Sequence, residues 1–220
     1  MSDPTPIAEA RDLIKAGRYD AAVDLLLAEI LDLPVELHRK AYTYTGLAHY
    51  FAGRWAEALG YFHAAANGSE VPEDWFNVAM AQVKVGDIEG GHVSWQRVFA
   101  LSYAHQDASE TSTFFQKKLL FAQALRDAGA CDARGLDLLE RQLLPIFANY
   151  HVTDASFWGL RGMPALEEVV GTTLDYYRAL GKTRDDWRAL LDGVAAGVDQ
   201  EGKGYCEEMK TRWDSPPTAD

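Results

Sequence analysis

The sequence predicts an all-α protein built from repeated helical hairpins, and three observations predict it. The stretch "AGRYDAAVDLLL" at residues 16–27 returns as "AGRWAEALGYFH" at residues 52–63, the same turn and helix start written twice. Small residues recur at fixed distances on both sides of each turn glycine, and a bulky apolar residue follows one helical turn later on the same face. Composition allows the burial such a repeat needs, because the 220 residues are 48% hydrophobic and 25% charged.

Taken in order, Gly17 and Gly53 are followed two residues later by an aromatic, Tyr19 and Trp55, and five later by a small residue, Ala22 and Ala58. Gly86 heads "GDIEGGHVSWQRV", with Ile88 and Gly91 in those two places. Nine residues after each glycine stand Leu26, Phe62 and Trp95, and seven before it Ala10, Gly46 and Ala79. A small side chain lets two helices approach, and the large one above it fills the wedge they leave. Each unit therefore reads as two antiparallel helices joined by a tight turn, and neither helix buries its apolar stripe without the next unit.

These positions resemble the tetratricopeptide repeat, whose pattern places an aromatic, Leu-Gly and Tyr on the first helix and Ala, Phe, Ala and Pro on and after the second. Trp75 stands at the first aromatic, Tyr42 substitutes for it one unit earlier, and Pro34 falls at the closing proline, while Ala22, Gly46, Ala58, Phe62 and Ala65 also match. His49 and Gln82 depart from the family's Tyr, and Pro6 and Glu9 weaken the first helix. The resemblance implies a right-handed α-solenoid over residues 3–147, in units of about 3–38, 39–71, 72–101 and 112–147. In the fourth unit Ala122, Leu125 and Gly129 align, but the small residue comes one late at Gly135, and "SYAHQDASET" adds a linker before it.

After Pro145 the rhythm dissolves into a degenerate helical extension over residues 148–213. "PALEEVVGTTLDYYRALG" has Pro164 at a first helical position and Gly181 at its end. Thr183 and Asp186 are spaced as the cap of a following helix. This hairpin is expected to pack back on the fourth unit and leave a monomer, against the alternative of a homodimer made through Tyr176, Tyr177, Trp187 and Leu190 as an exposed apolar end. Residues 146–163 gather Phe147, Tyr150, Phe157 and Trp158, and residues 214–220 read as a flexible tail.

Charge narrows the partners. The net charge is −12, with 8 Lys and Arg against 16 Asp and Glu in residues 1–110 and 13 against 17 in residues 111–220. Such a surface repels phosphate backbones and anionic headgroups, so neither nucleic acid nor membrane is an expected partner. The start has no basic region followed by an apolar run, and no stretch is long enough to span a bilayer. Cys131 and Cys206 lie in no metal-binding pattern and read as reduced thiols of a cytoplasmic protein.

Chemistry finds little support. His49, His63, His92, His105 and His151 have no second ligand at metal spacing, and no nucleophile elbow, P-loop or dinucleotide fingerprint is present. No catalytic, cofactor or metal residue is therefore assigned, and no enzyme activity is expected. An enzyme site within residues 146–163, lined by Tyr150, His151, Asp154 and Trp158, is the rival from another class.

The resemblance implies instead a non-enzymatic scaffold or adaptor that binds a peptide or helix in the concave groove formed by the first helices. In that geometry the floor is made by Tyr44, Leu47, Tyr50, Phe51, Phe76 and Met80, with Arg11, Lys15, Asn77 and Lys84 at its edges. Thr43, Val83, Ile14, Leu119, Leu120, Gln123 and Arg126 occupy equivalent positions. Aromatics and Met are enriched at recognition surfaces. A clamp for acidic chaperone tails is not expected, because of Ile7, Arg11, Tyr44, Glu73 and Asn77 at the matching places only Asn77 fits, and Glu73 would repel a carboxylate. The other reading is a dedicated chaperone, inhibitor or immunity-type protein for one partner, contacting it through the acidic convex face or the aromatic segment.

Overall fold

The computed structural model describes residues 5–104 and 108–214, and among them every regular element is helical. Contacts group the chain into two compact units, Met1–His105 and Gln106–Asp220. Of the expected tail at 214–220, Asp214 belongs to a 3₁₀ turn and 215–220 lie outside the described residues, as do 105–107 of the expected linker. The rest of that linker is helical, because α6 runs to Ala104 and α7 begins at Ala108.

The first unit contains α1 (Thr5–Lys15), α2 (Tyr19–Glu29), α3 (Val35–Phe51), α4 (Trp55–Ala66), α5 (Pro72–Lys84) and α6 (Ile88–Ala104). Helices pack in the order of the chain, α1 on α2, α3 on α4 and α5 on α6, with α2 on α3, α4 on α5 and α1 on α3 as the joints between hairpins. The turns follow from glycine. Gly17, Gly53 and Gly86 have φ of 73°, 75° and 87°, a left-handed conformation that other residues adopt at a cost. There the next residue's N–H closes on the carbonyl five back, Arg18 on Leu13, Arg54 on His49 and Asp87 on Gln82, at 2.9 Å each.

Small residues before and after those turns are all buried: Ala10, Gly46 and Ala79, and Ala22, Ala58 and Gly91. So are Leu26, Phe62 and Trp95. Size is what selects them: a Cβ on Gly46 would stand 2.6 Å from the Phe62 ring, and one on Gly91 2.8 Å from Val83 Cγ2. The repeat read from the sequence is thus a repeat of helix contacts.

The second unit begins with α7 (Ala108–Asp127), which is followed by one continuous helical run: α8 (Ala133–Asp137), a π-helical stretch (Leu138–Leu143) and α9 (Leu144–Tyr150). Pro145 explains the π stretch, since proline offers no N–H and its ring collides with the carbonyl four residues back in an α-helix. The Leu144 N–H reaches instead to Leu139 O, one residue further than an α ladder would. The helix therefore continues past Pro145, where the sequence rhythm had dissolved. Gly129 and Gly181 repeat the turn, with φ of 67° and 64°.

The short α10 (Ala155–Gly159) precedes α11 (Leu166–Ala179), α12 (Arg184–Gly197), α13 (Gln200–Thr211) and a closing 3₁₀ turn (Arg212–Asp214). Pro164 lies outside α11, whose N-cap is Ala165; its fixed ring precedes the helix instead of opening it. The Thr183 and Asp186 cap forms as expected, Thr183 Oγ1 accepting from the Asp186 N–H at 3.1 Å and Asp186 Oδ2 from the Thr183 N–H at 2.9 Å.

Helix α11 packs on α7, on the π stretch and on α9. The Tyr176 hydroxyl donates to Ala122 O at 2.8 Å, and Gly135 has no Cβ because that ring lies against it. Tyr176, Tyr177 and Trp187 are buried and do not form the exposed apolar end of the alternative. Helix α13 accounts for Trp187, whose indole N–H donates to Met209 O at 3.1 Å. Leu190 remains half-buried. No helix among the described residues is long and apolar enough to cross a membrane.

Candidate functional site

The first helices of the Met1–His105 unit present the residues expected at a recognition surface, and their packing sorts them into three groups. Leu47 and Tyr50 are half-buried against the cluster of Ala58, Phe62, Ala66, Val78 and Ala81, and Tyr44 against that of Ala10, Ala22 and Leu26. Tyr50 meets Phe62 at 6.3 Å, and Phe76 meets Trp95 edge-on at 6.3 Å. Both rings therefore anchor α3 and α5 to the second helices. Val83 is buried outright against α6, so it does not line a groove.

Phe51 and Lys84 form a second group, at the turn edge. Each stands two residues before a turn glycine and lies on the side chain two residues after the preceding one. Phe51 stacks on Tyr19 at 6.3 Å, and Lys84 Nζ sits 5.9 Å above the Trp55 ring. These are rungs between neighbouring hairpins, and Phe51 nevertheless remains more than half exposed.

Tyr44, although its inner side packs on the first hairpin's core, shares with Asn77, Met80 and Arg11 a half-buried position with part of the side chain accessible, and these four make up the third group, while Lys15 is exposed. A face of this kind offers apolar contact from Tyr44 and Met80 and an amide from Asn77.

A polar cluster beside this face was not read from the sequence. Asp74, 2% exposed, lies at the first turn of α5 and accepts from Arg39 Nη1 at 3.1 Å on Oδ1 and 2.8 Å on Oδ2. Ser69 Oγ donates to it at 2.5 Å and Thr43 Oγ1 at 3.5 Å. The pair ties α3 to α5 across 35 residues of chain. A signal existed in the serine five residues before the aspartate, ahead of a proline-started helix, but nothing local pointed to Arg39.

At the turn of the second hairpin, Arg54 Nε donates to His49 Nδ1 at 2.9 Å, and Arg54 Nη1 to Asp20 Oδ1 at 2.6 Å. The His49 ring also stacks on Tyr61 at 5.3 Å. Burial, and then the Arg54 cation, hold the His49 imidazole below its ordinary value. Gln82, the other departure from the repeat pattern, accepts from Ser94 Oγ at 2.6 Å and donates to Asp87 Oδ2 at 3.1 Å. Both departures are satisfied polar joints within the fold.

In the second unit the equivalent first-helix positions are covered by the chain itself. Leu119 is buried, Gln123 Nε2 donates to Thr172 Oγ1 at 3.5 Å, and Arg126 Nη1 pairs with Asp175 Oδ2 at 3.2 Å, so α11 occupies that face and only Leu120 is exposed. Lys118, buried on α7, has its ammonium 4.6 Å from the Phe114 ring and 4.8 Å from the Phe115 ring, and burial lowers it to about 8.

Residues 146–163 are organised around Trp158, which is buried and meets Phe147, Tyr150 and Phe157 edge-on at 5.3, 5.5 and 5.1 Å. Asp154 Oδ1 caps α10, accepting from the Ser156 N–H at 2.7 Å. His151, at φ 54°, ends α9 with its Nδ1 2.5 Å from Gly197 O. Of the four residues weighed as an enzyme site, Trp158 and Asp154 organise this segment, Tyr150 lies against Trp158, and His151 joins the segment to Gly197 at the end of α12. Among the described residues no group of three His, Cys, Asp or Glu could hold a metal ion. No protein family, curated protein or solved structure matches this chain.

Proposed function

We propose that the chain is a tetratricopeptide-like right-handed α-solenoid, a non-enzymatic interaction module that holds a peptide or helix of a partner protein on the first-helix face of the Met1–His105 unit. The observation that carries this reading is the incomplete burial of Tyr44, Asn77 and Met80 on first helices that small residues such as Gly46 and Ala79 already bring against the second helices of their hairpins. Packing alone leaves the apolar parts of these side chains in part to water, which a ligand would displace. In the second unit α11 meets α7 and the helix after it as α3 meets α1 and α2, whereas α12 packs chiefly on α13 and α9, so the expected last hairpin departs from the repeat.

The free thiols Cys131 and Cys206 are in keeping with a reducing, cytoplasmic compartment. Burial of Tyr176, Tyr177 and Trp187 supports a monomer over a homodimer made through that end. Light scattering giving a dimer mass at micromolar concentration would reverse that preference.

The experiment is capture of partners by the tagged full-length chain from native lysate, identification by mass spectrometry, and titration of the captured protein against variants. Tyr44→Ala and Met80→Ala should each weaken binding by about tenfold or more, as partly buried anchors commonly do. Unchanged affinity in both, with the fold confirmed by circular dichroism, refutes a site on this face.

A further inference from the structure

A second surface of the same unit has apolar exposure that its own packing leaves unused. Leu27, Leu31 and Val35 stand four residues apart from the end of α2 to the start of α3, and they are 44%, 89% and 75% exposed. Their neighbours Ile30, Leu33 and Leu37 turn inward and pack on the core of the first hairpin. The connection is tightly made: the N–H groups of Asp32 and Leu33 both donate to Glu29 O, at 3.0 and 3.1 Å, and the Leu37 N–H donates to Pro34 O at 2.8 Å. The His38 ring closes on Leu33 O at 3.0 Å. The outward aliphatics are therefore held outward by a formed loop.

Charge along the strip is mostly negative: Arg18, Arg39 and Lys40 border it, and Arg39 is held by the buried Asp74. Residues 19–38 contain Asp20, Asp24, Glu29, Asp32 and Glu36 and no lysine or arginine. Asp20 is taken by Arg54, which leaves Asp24, Glu29, Asp32 and Glu36 beside the three aliphatics. Burying such a strip favours an apolar partner, and the carboxylates select a cationic one and repel anionic lipid and nucleic acid.

We propose that Leu27, Leu31 and Val35 form a docking surface for a basic amphipathic helix of a partner protein, with aliphatic residues one turn apart on its contact face and Lys or Arg flanking them. The surface is distinct from the first-helix face and does not depend on it. Its small area suits a weak, transient contact.

The probe is an acetylated, amidated helix of about 18 residues with a leucine at every fourth position and lysines beside them, about 27 Å long and so able to span the strip. It is titrated into the 15N-labelled full-length chain. Amide shifts should centre on residues 27–36, and raising the salt from about 0.05 to about 0.5 M should weaken binding because the screening length shrinks. The double variant Leu31→Ser, Val35→Ser, at exposed positions whose fold circular dichroism checks, should lose about tenfold or more in affinity. Tyr44→Ala and Met80→Ala should leave it unchanged, which separates this surface from the proposed groove. Three results overturn the proposal: equal binding of a control peptide with each leucine replaced by glutamine, shifts centred away from residues 27–36, or self-association of the wild-type chain that the double variant abolishes, which would make a second copy the occupant.

Discussion

Placing one methyl group at two glycines of the same hairpin gives opposite results if α3 and α4 meet as described. At Gly46 the new Cβ would stand 2.6 Å from two atoms of the Phe62 ring and 3.2 Å from a third, about 0.8 Å inside ordinary contact. Phe62 is 2% exposed and braced by Tyr50, so the ring has no solvent into which to withdraw. Overpacking of this kind costs about 1–3 kcal/mol, against a gain of roughly 1 kcal/mol from replacing glycine by alanine inside a helix. At Gly60, exposed on α4, nothing lies within 4 Å of the same methyl, so only the gain remains. The propensity change is common to both, and Gly46→Ala should be less stable than Gly60→Ala by about 1–3 kcal/mol. In urea, with a slope of about 2 kcal/mol per molar, the midpoints should separate by roughly 0.5–1.5 M. Equal midpoints would mean that Phe62 is not seated against α3, and the hairpin pairing would fall with it.

Asp74→Ala removes the acceptor of Arg39, Ser69 and Thr43 and should cost about 1–3 kcal/mol in thermal or urea unfolding, with Asp74→Asn costing less because one acceptor oxygen remains. A neutral Asp74→Ala would show that the clasp contributes nothing to the unit. His49 is held neutral by burial and by Arg54, so its contribution is complete above the ordinary imidazole value of 6.5 and is lost as pH falls through the lower folded value. The ring resonances should titrate below 6.5, and His49→Gln should flatten the stability profile across that interval; a midpoint above 6.5 contradicts the assigned environment. Trp187→Phe deletes the indole donor to Met209 O and leaves a void, and should cost about 1–3 kcal/mol. Amide exchange in residues 200–211 should accelerate more than in α7, and unchanged exchange there would detach α13 from Trp187.

Much of the helical repeat was legible because its causes are local or periodic. A glycine that must take positive φ announces a turn by itself, and Gly17, Gly53, Gly86, Gly129 and Gly181 all do. Small residues seven before and five after that turn sit where the partner helix comes close, Gly46 under Phe62 and Gly91 against Val83 and Ala79 O, so spacing alone located them. Contacts made at a distance were hidden. Gly135 looked displaced by one position until Tyr176, from a helix more than thirty residues later, was found lying against it. The cover over Trp187 was hidden too, because α13 carries few large apolar residues to advertise it. The candidate surface was legible in its helices and less so in its faces: of two positions assigned to one groove, three and six residues before the turn, Val83 is inside and Met80 at the boundary, and that difference depends on where α6 runs. Asp74 could not be found, since its main partner is 35 residues away.

The π stretch before Pro145 matters for side chains that come after it. A helix advances about 100° per residue around its axis, so winding one extra residue into a turn changes the direction in which every later side chain points. Phe147 reaches Trp158 from the far side of that stretch. Were Pro145 replaced by a residue with an N–H, the ladder could close to ordinary α spacing, and Phe147 would then be carried away from its neighbour by a rotation begun several residues earlier. The proline acts as a phase setting for the aromatic knot, fixing its direction through the backbone alone.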